Sequence, residues 1–339
     1  MKLLSLQDLD SGCGRDLLAA TVALGFSEPV ARDGLTAELG AWTASAMAAV
    51  RAELPADLRP ERLPATVLVI AASTLPASTL RAVLMARLLG ARVLLKPASG
   101  QEPIARAIAE ADPAVEVRAF SSTDTDALDA AIAEADAVVV LGGDRAVMEL
   151  RARVPFAKGY AGYGHRLSAA WLDGFDDADA EALARDLCAW DQAGCLSPQV
   201  AWVRGDTGEA AQRLAEAVRS LEPSLPMALP PSAAPTRHAM RALADMLGSA
   251  YATDTALIAA LPTPDFRPSP GYRALWVLPA SEEALRAMAS VLSTVGVTPG
   301  ATAPIGGQVR QCPLGQMQRP PLTWPHDGRP NLLPMLRPY

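Results

Sequence analysis

The stretch TVLVIAASTLPASTLRAVLMARLLGARVLLKP, residues 66–97, decides the fold. Two continuous apolar runs, "ATVLVIAA" and "ARVLLKP", flank a segment with apolar residues at helical spacing that closes at Gly90. A strand covered on both faces needs no polar alternation. Two such strands joined through a helix therefore make a parallel crossover unit. Pro97 cannot donate to a sheet ladder, so the second strand ends there.

The alternation continues downstream. "QEPIARAIAEA" reads as a helix, "VEVRAF" as a strand, "TDALDAAIAEA" as a helix capped by Thr125, "AVVVLGG" as a strand and "DRAVMELRARV" as a helix. Upstream, "EPVARDGLTAELGAWTASAMAAVRAEL" is helical, and the three prolines of "LPADLRPERLPAT" end that region. Beyond Phe156 a second set appears, with "RLSAAWL", "QVAWVRG" and "YRALWVLPA" as strands. "DDADAEALARDLCAWDQ" is a helix with acidic residues in its first turn, as the helix dipole favours. "EAAQRLAEAVRSL", "RHAMRALADMLGSA" and "SEEALRAMASVL", the last capped by Ser281, complete the helices. The expected fold is α/β, with a helical region over 1–60 and parallel-sheet domains over 61–160 and 161–309. A tail over 310–339 is expected to return to the first of these domains.

At 339 residues and 50% hydrophobic, the chain has material for two cores. A net charge of −7 argues against non-specific nucleic-acid binding. The longest apolar run is too short to span a bilayer, and Gln7, Asp8 and Asp10 interrupt the leader-like N-terminus. A cytoplasmic protein with no membrane partner is expected. Cys13, Cys188, Cys195 and Cys312 contain no C-x-x-C, and with His165, His238 and His326 they form no metal-binding pattern.

No G-x-G-x-x-G follows the first strand, and the glycine cluster "GYAGYGH" has the wrong spacing for that fingerprint. Lys96 ends a buried strand, where it either snorkels to water or aims a cation at a cofactor ribose or phosphate. Gly142 and Gly143 precede a helix, whose N-terminal amides either sit in a plain turn or receive a phosphate. Cys195, in "WDQAGCLSPQV", lies between a helix and a strand. The residues alone leave open whether it is apolar filler or a nucleophile beside backbone amides that stabilise an oxyanion.

Three segments taken together carry a resemblance. "LLGARVLLKPASGQEP" is similar to the cofactor-binding segment of the aldehyde dehydrogenase superfamily, "VVVLGGDRAV" to its glycine-containing turn under the cofactor phosphates, and "DQAGCLSPQV" to its catalytic cysteine segment. "GYGHRLS", "GCLSPQ" and "PPLTWPHDGRP" resemble the acyl-CoA reductase branch typified by the fatty acyl reductase of bacterial luminescence. The likeness spans roughly residues 65–205 and 310–337, and its most specific part is the Cys195 segment.

The resemblance implies that Cys195 attacks a thioester such as acyl-CoA, coenzyme A leaves, and hydride from a nicotinamide cofactor yields an aldehyde. The hydrolytic members' Glu-Leu-Gly-Gly segment is replaced here by "GYAGYGHRLSAA", which has no carboxylate to activate water. Many members using NAD carry glutamate three residues after the lysine. Ser99 stands there instead, so NADPH is expected over NADH. The family's oxyanion-binding asparagine is not evident in "VIAASTLPAS", where Ser73 or Thr74, or backbone amides alone, take its place. Ser73 is grouped with Lys96, Ser99, Gly142 and Gly143 as the cofactor-side set. His165 and His326 are the two candidates for proton donor. A homo-oligomer is a family expectation, and a partner enzyme that donates the acyl group or accepts the aldehyde is a further candidate partner. The rival reading is an acyl-transfer subunit that uses the cysteine to pass the acyl group to a partner without reducing it.

Overall fold

The computed structural model describes residues 2–338. The chain forms two compact units: Met1–Leu24, Leu35–His165 and Pro321–Tyr339 make the first, Gly25–Gly34 and Arg166–Pro320 the second. Helices α1 (Gly12–Val22), α2 (Glu28–Gly40) and α3 (Ala44–Arg51) come first, and the division between units falls within α2.

In the first unit the chain runs β1 (Thr66–Ile70), α4 (Pro76–Leu88), β2 (Arg92–Lys96), α5 (Glu102–Ala111), β3 (Val115–Val117), α6 (Thr125–Glu134), β4 (Ala137–Leu141), α7 (Asp144–Arg153) and β5 (Gly159–Tyr163). The strands are parallel, in the order β3-β2-β1-β4-β5. Val67, Leu68, Val69, Val93, Leu94 and Leu95 are fully buried, as runs without polar alternation require. The sequence order reverses between β1 and β4, which opens a crevice at the C-terminal edge of such a sheet. The cap of α6 is Asp124 rather than Thr125: its carboxylate accepts from Ala127 N at 3.0 Å, and Thr125 is the first helical residue. The first five residues of "GYAGYGH" form the edge strand β5. Glycine is needed there for space, since a Cβ on Gly159 would lie 2.5 Å from the Met335 carbonyl oxygen and one on Gly162 2.6 Å from Val147.

Residues 321–338 belong to this unit, whereas 310–320, expected to go with them, lie in the second. Arg62 and Arg337 exchange hydrogen bonds of 3.0 and 2.9 Å. Glu53 accepts from the N–H of Asn331 and Leu332 and from the Asn331 amide. Arg81, in a buried bidentate pair with Glu38, donates to the Pro321 carbonyl at 3.1 Å.

The second unit runs β6 (Leu167–Asp173), α8 (Asp177–Cys188), β7 (Pro198–Arg204), α9 (Thr207–Leu221), α10 (Ala234–Leu247), β8 (Ser249–Ala252), β9 (Leu257–Ala260), β10 (Ala274–Pro279), α11 (Glu282–Ala287), β11 (Leu292–Val297) and β12 (Arg310–Pro313). Its seven strands follow the order β12-β11-β6-β7-β10-β9-β8, and only β8 is antiparallel to its neighbour. One face of the sheet packs Leu172, Ile258 and Leu275 with Leu183 and Leu214; the other packs Trp171, Trp202 and Trp276 with Met240 and Leu285. The helix expected over "SEEALRAMASVL" is capped by Ser281 but stops at Ala287, and Leu292 opens β11, which pairs with β6. Sheet pairing of the buried Leu292 and Val295 overrides the helical pattern there.

Gly159→Ala should lower stability by about 1–3 kcal/mol, because the new methyl meets rigid backbone. Thermal unfolding together with limited proteolysis checks this, with faster cleavage expected within residues 321–338.

Candidate active site

The helix read through Gln192 ends at Cys188. Asp176 and Asp179 close its N-terminus as a capping box. At the other end Ala189 turns extended (φ −57, ψ 132), and Trp190, Asp191 and Gln192 are all left-handed, with φ of 51, 49 and 63. Left-handed backbone costs a non-glycine residue about 1–2 kcal/mol, so three in a row need firm anchors.

Each of the three has one. The Trp190 indole sits against Gly34 and makes an edge contact with Phe26 at 5.3 Å. Asp191 is paired with Arg273, which is fully buried; Nε and Nη2 donate to Asp191 Oδ1 at 3.1 and 2.5 Å. Burial pushes the Asp191 carboxyl upward, and the guanidinium on it pulls the other way. The Gln192 amide donates to the carbonyls of Pro198 (2.7 Å) and Ala274 (2.6 Å) and accepts from Ala274 N (2.8 Å). It acts as an added rung between β7 and β10, at the level where Pro198 has no N–H to give.

Cys195 follows on a turn in which Ser197 N donates to Gly194 O at 3.1 Å, just before the central strand β7. Ser168, on the neighbouring β6, donates from Oγ to the Cys195 carbonyl at 2.7 Å. Gln318 donates to Ser197 Oγ at 2.6 Å. Cys195 is partly exposed, whereas Cys188 and Cys312 in the same unit are buried, and burial pushes both of those thiols up to about 11. Asp191, Gln192, Ser168, Arg273 and Gln318 escape a reading of the sequence. Their partners lie up to 132 positions away, and Asp191 and Gln192 fall inside one continuous helical pattern.

In the first unit the topology gathers Lys96, Ser73, Gly142 and Gly143 at the C-terminal edge of the sheet, across β2, β1 and β4. Lys96 is almost fully buried, with its ammonium 5.7 Å from the Phe120 ring centroid; burial lowers its pKa, and Glu102 opposes that. Among the described residues it forms no ion pair. Ser73 and Ser99 are exposed, Ser99 beside the left-handed Gly100. Gly143 is the N-cap of α7 with no side chain to fill the role, and a Cβ placed there meets nothing within 4 Å. Asp144, in the first turn, accepts from His165 N at 2.8 Å. This contact requires Gly164, whose Cβ would lie 2.1 Å from the carboxylate oxygen.

The two histidines differ. His165 is exposed. His326 is stacked on Tyr163 at 4.3 Å and tilted against Trp324 at 5.1 Å; burial pulls its imidazole down to about 4, opposed by the neighbouring Asp327. It is neutral at neutral pH. Among the described residues no His/Cys/Asp/Glu group has the arrangement of a metal site, and no helix is long and apolar enough to cross a membrane.

A family model described as acyl-CoA reductase (LuxC) matches residues 59–338. No curated protein matches the chain. Among solved structures, aldehyde dehydrogenase 21 of Physcomitrella patens, in complex with the reaction product succinate, is similar with a TM-score of 0.72 at 14% identity, covering 99% of this chain and 82% of that one. An NAD-dependent benzaldehyde dehydrogenase of Corynebacterium glutamicum gives 0.65 at 16%, over 91% and 79%. An NAD-dependent aldehyde dehydrogenase of Sinorhizobium meliloti gives 0.63 at 17%, over 91% and 73%. At these identities the likeness is one of fold.

Gly34→Ala should displace the Trp190 ring, which a Cβ would approach to 2.2 Å. Alanine in a helix ordinarily gains about 1 kcal/mol over glycine, so a net loss of about 1–3 kcal/mol in urea unfolding isolates the clash. His326 gives a second expectation. Between its ordinary 6.5 and about 4, the unfolded chain binds a proton that the folded chain does not. The stability it contributes is therefore present above pH 6.5 and is lost as pH falls towards 4, by about 3 kcal/mol. Urea titrations at about pH 7.5 and about pH 4.5 should show His326→Phe losing less stability on acidification than the wild type.

Proposed function

Because the chain belongs to the LuxC family of acyl-CoA reductases, we propose that it reduces an acyl thioester to an aldehyde with NADPH, through an acyl-cysteine at Cys195. The observation that carries this reading is the Cys195 turn, a partly exposed cysteine before the central strand, between anchored left-handed backbone and a β6 serine. A carbon–sulfur bond forms from the thiolate to the substrate carbonyl, and the carbon–sulfur bond to coenzyme A breaks. The departing thiolate takes a proton, a role we give to His165, since His326 stays neutral down to about pH 4. Backbone N–H groups of the turn stabilise the oxyanion in each half-reaction.

A nicotinamide dinucleotide, when bound, would supply the hydride. The resulting thiohemiacetal collapses to the aldehyde and regenerates the thiolate. No carboxylate lies in the 159–170 segment to activate water, so the acyl-cysteine persists until it is reduced.

The residues of the first unit fit a phosphorylated cofactor. Lys96 forms no ion pair among the described residues, Ser99 brings no negative charge, and the α7 N-terminus is open at Gly143. Lys96 and Ser99 would hold the adenosine ribose and its 2′-phosphate, with Ser73, Gly142 and Gly143 along the same edge.

Incubation with an acyl-CoA in the absence of cofactor should add one acyl mass to the protein, located on Cys195. Cys195→Ala should abolish both the adduct and acyl-CoA-dependent NADPH oxidation. Adduct formation without NADPH oxidation in the wild type would indicate acyl transfer alone. Ser99→Glu should raise KM for NADPH by about tenfold or more while improving use of NADH, as steady-state kinetics with both cofactors would read.

A further inference from the structure

We propose that Asp191 and Arg273 are positioning residues for the Cys195 nucleophile: their ion pair ties two left-handed backbone segments together and so fixes the turn that carries the thiol. This rests on Cys195 being the nucleophile.

Both partners lie on left-handed backbone. Asp191 is the middle of the run Trp190–Gln192; Arg273 ends a second run, Gly271, Tyr272 and Arg273, with φ of 75, 53 and 57. Two independent strained segments meeting at one ion pair are not what β10 needs in order to start. A strand entry with ordinary dihedrals would serve packing as well, and backbone strain of this kind persists only where surrounding contacts over-determine it. The pair and the Gln192 amide fall at consecutive positions of one run and grip the same two-residue entry to β10, Arg273 and Ala274. Three residues after Gln192 comes Cys195.

Arg273 is itself held from behind. Nη1 donates to Leu225 O at 2.8 Å and to Thr255 Oγ1 at 3.2 Å, while Thr255 Oγ1 donates to Glu222 Oε1 at 2.7 Å. Thr253 Oγ1 and Thr255 N donate to the same Glu222 oxygen. The guanidinium is thus aimed by groups from the end of α9 and the β8–β9 connection, and its remaining fork meets Asp191. The chain Glu222–Thr255–Arg273–Asp191 transmits the rigidity of the sheet to a turn that otherwise has no regular structure. Arg273 spends its donors on Asp191, Leu225 and Thr255, so the pair acts through the backbone.

The experiment separates positioning from stability. Removing one partner strands a buried charge, whereas removing both leaves none. Asp191→Asn, Arg273→Gln and the double variant are compared with wild type by thermal unfolding and by the single-turnover rate of Cys195 acylation at saturating acyl-CoA, read by mass. The expected result is that the double variant recovers most of the melting temperature lost by the single variants. It should still acylate about ten- to a hundredfold more slowly than wild type, with little change in the concentration giving half-maximal rate. Acylation in the double variant at the wild-type rate would overturn the positioning role and leave Cys195 as nucleophile. No acylation of Cys195 in the wild type would overturn the reading on which the proposal rests. If the double variant does not fold, Arg273→Lys, which keeps the charge and loses the fork, carries the same comparison. A slowed rate at near-normal melting temperature is expected, and an unchanged rate would overturn the proposal.

Discussion

A guanidinium with no exposed surface is tolerable only where its donors are satisfied and its charge is met, and Arg273 satisfies both conditions around Asp191. Breaking such a pair from one side typically costs about 3–5 kcal/mol. That is comparable with the cost of holding Trp190, Asp191 and Gln192 in left-handed backbone. The balance explains why the helix does not continue. "AWDQ" has adequate helical propensity, but continuing α8 would withdraw Asp191 from Arg273, Gln192 from Pro198 and Ala274, and Trp190 from the notch at Gly34. Three tertiary contacts at consecutive residues override local preference, and the chain turns into β7 with Cys195 on the bend.

The first unit solves a different problem with the opposite economy of contacts. At its sheet edge Lys96 forms no ion pair among the described residues, and the α7 N-terminus has no side-chain cap. Each choice forgoes stability the chain could have had, since an acidic partner for Lys96 or a serine at Gly143 would each contribute. Asp144 does add a negative charge to the first turn of α7, but its carboxylate oxygen is engaged by the His165 N–H. An edge that stays cationic and uncapped suits an anionic ligand, which is the basis for placing a phosphorylated cofactor there.

Legibility in the sequence followed burial. β1, β2 and β4 are apolar throughout because helices cover both faces, so "TVLVI", "RVLLK" and "AVVVL" can be recognised without partners. β5 could not be, because its glycines answer to Met335 and Val147 rather than to a strand pattern. β8, β9 and β12 have four residues each, and "LSTVGV" of β11 directly follows a helical period. β9 and β11 are strands through pairing with β10 and β6, and β8 and β12 through pairing with β9 and β11 in turn. At the site, Cys195, Lys96 and Gly142 stood out through resemblance to a family, whereas Arg273 had no signal. "GYRALWV" reads as the start of a strand, and nothing local says that its arginine is buried against a residue 82 positions earlier.

What a thioester reductase must avoid is hydrolysis, and a loose cysteine loop would invite it, since motion around an acyl-enzyme admits water. The Cys195 turn is fixed on both sides. Upstream stand the three anchored left-handed residues, and downstream the Ser197–Gln318 contact and the entry to β7. Between them Ser168 holds the Cys195 carbonyl from β6. Because a peptide unit is planar, fixing that carbonyl also fixes the direction of the following Leu196 N–H. An amide whose direction is set before substrate arrives stabilises developing negative charge without reorganising, which is where electrostatic catalysis gains most. In the proposed reaction one constraint thus serves two ends: the hydrogen bonds that hold the turn also set the direction of the N–H offered to the oxyanion.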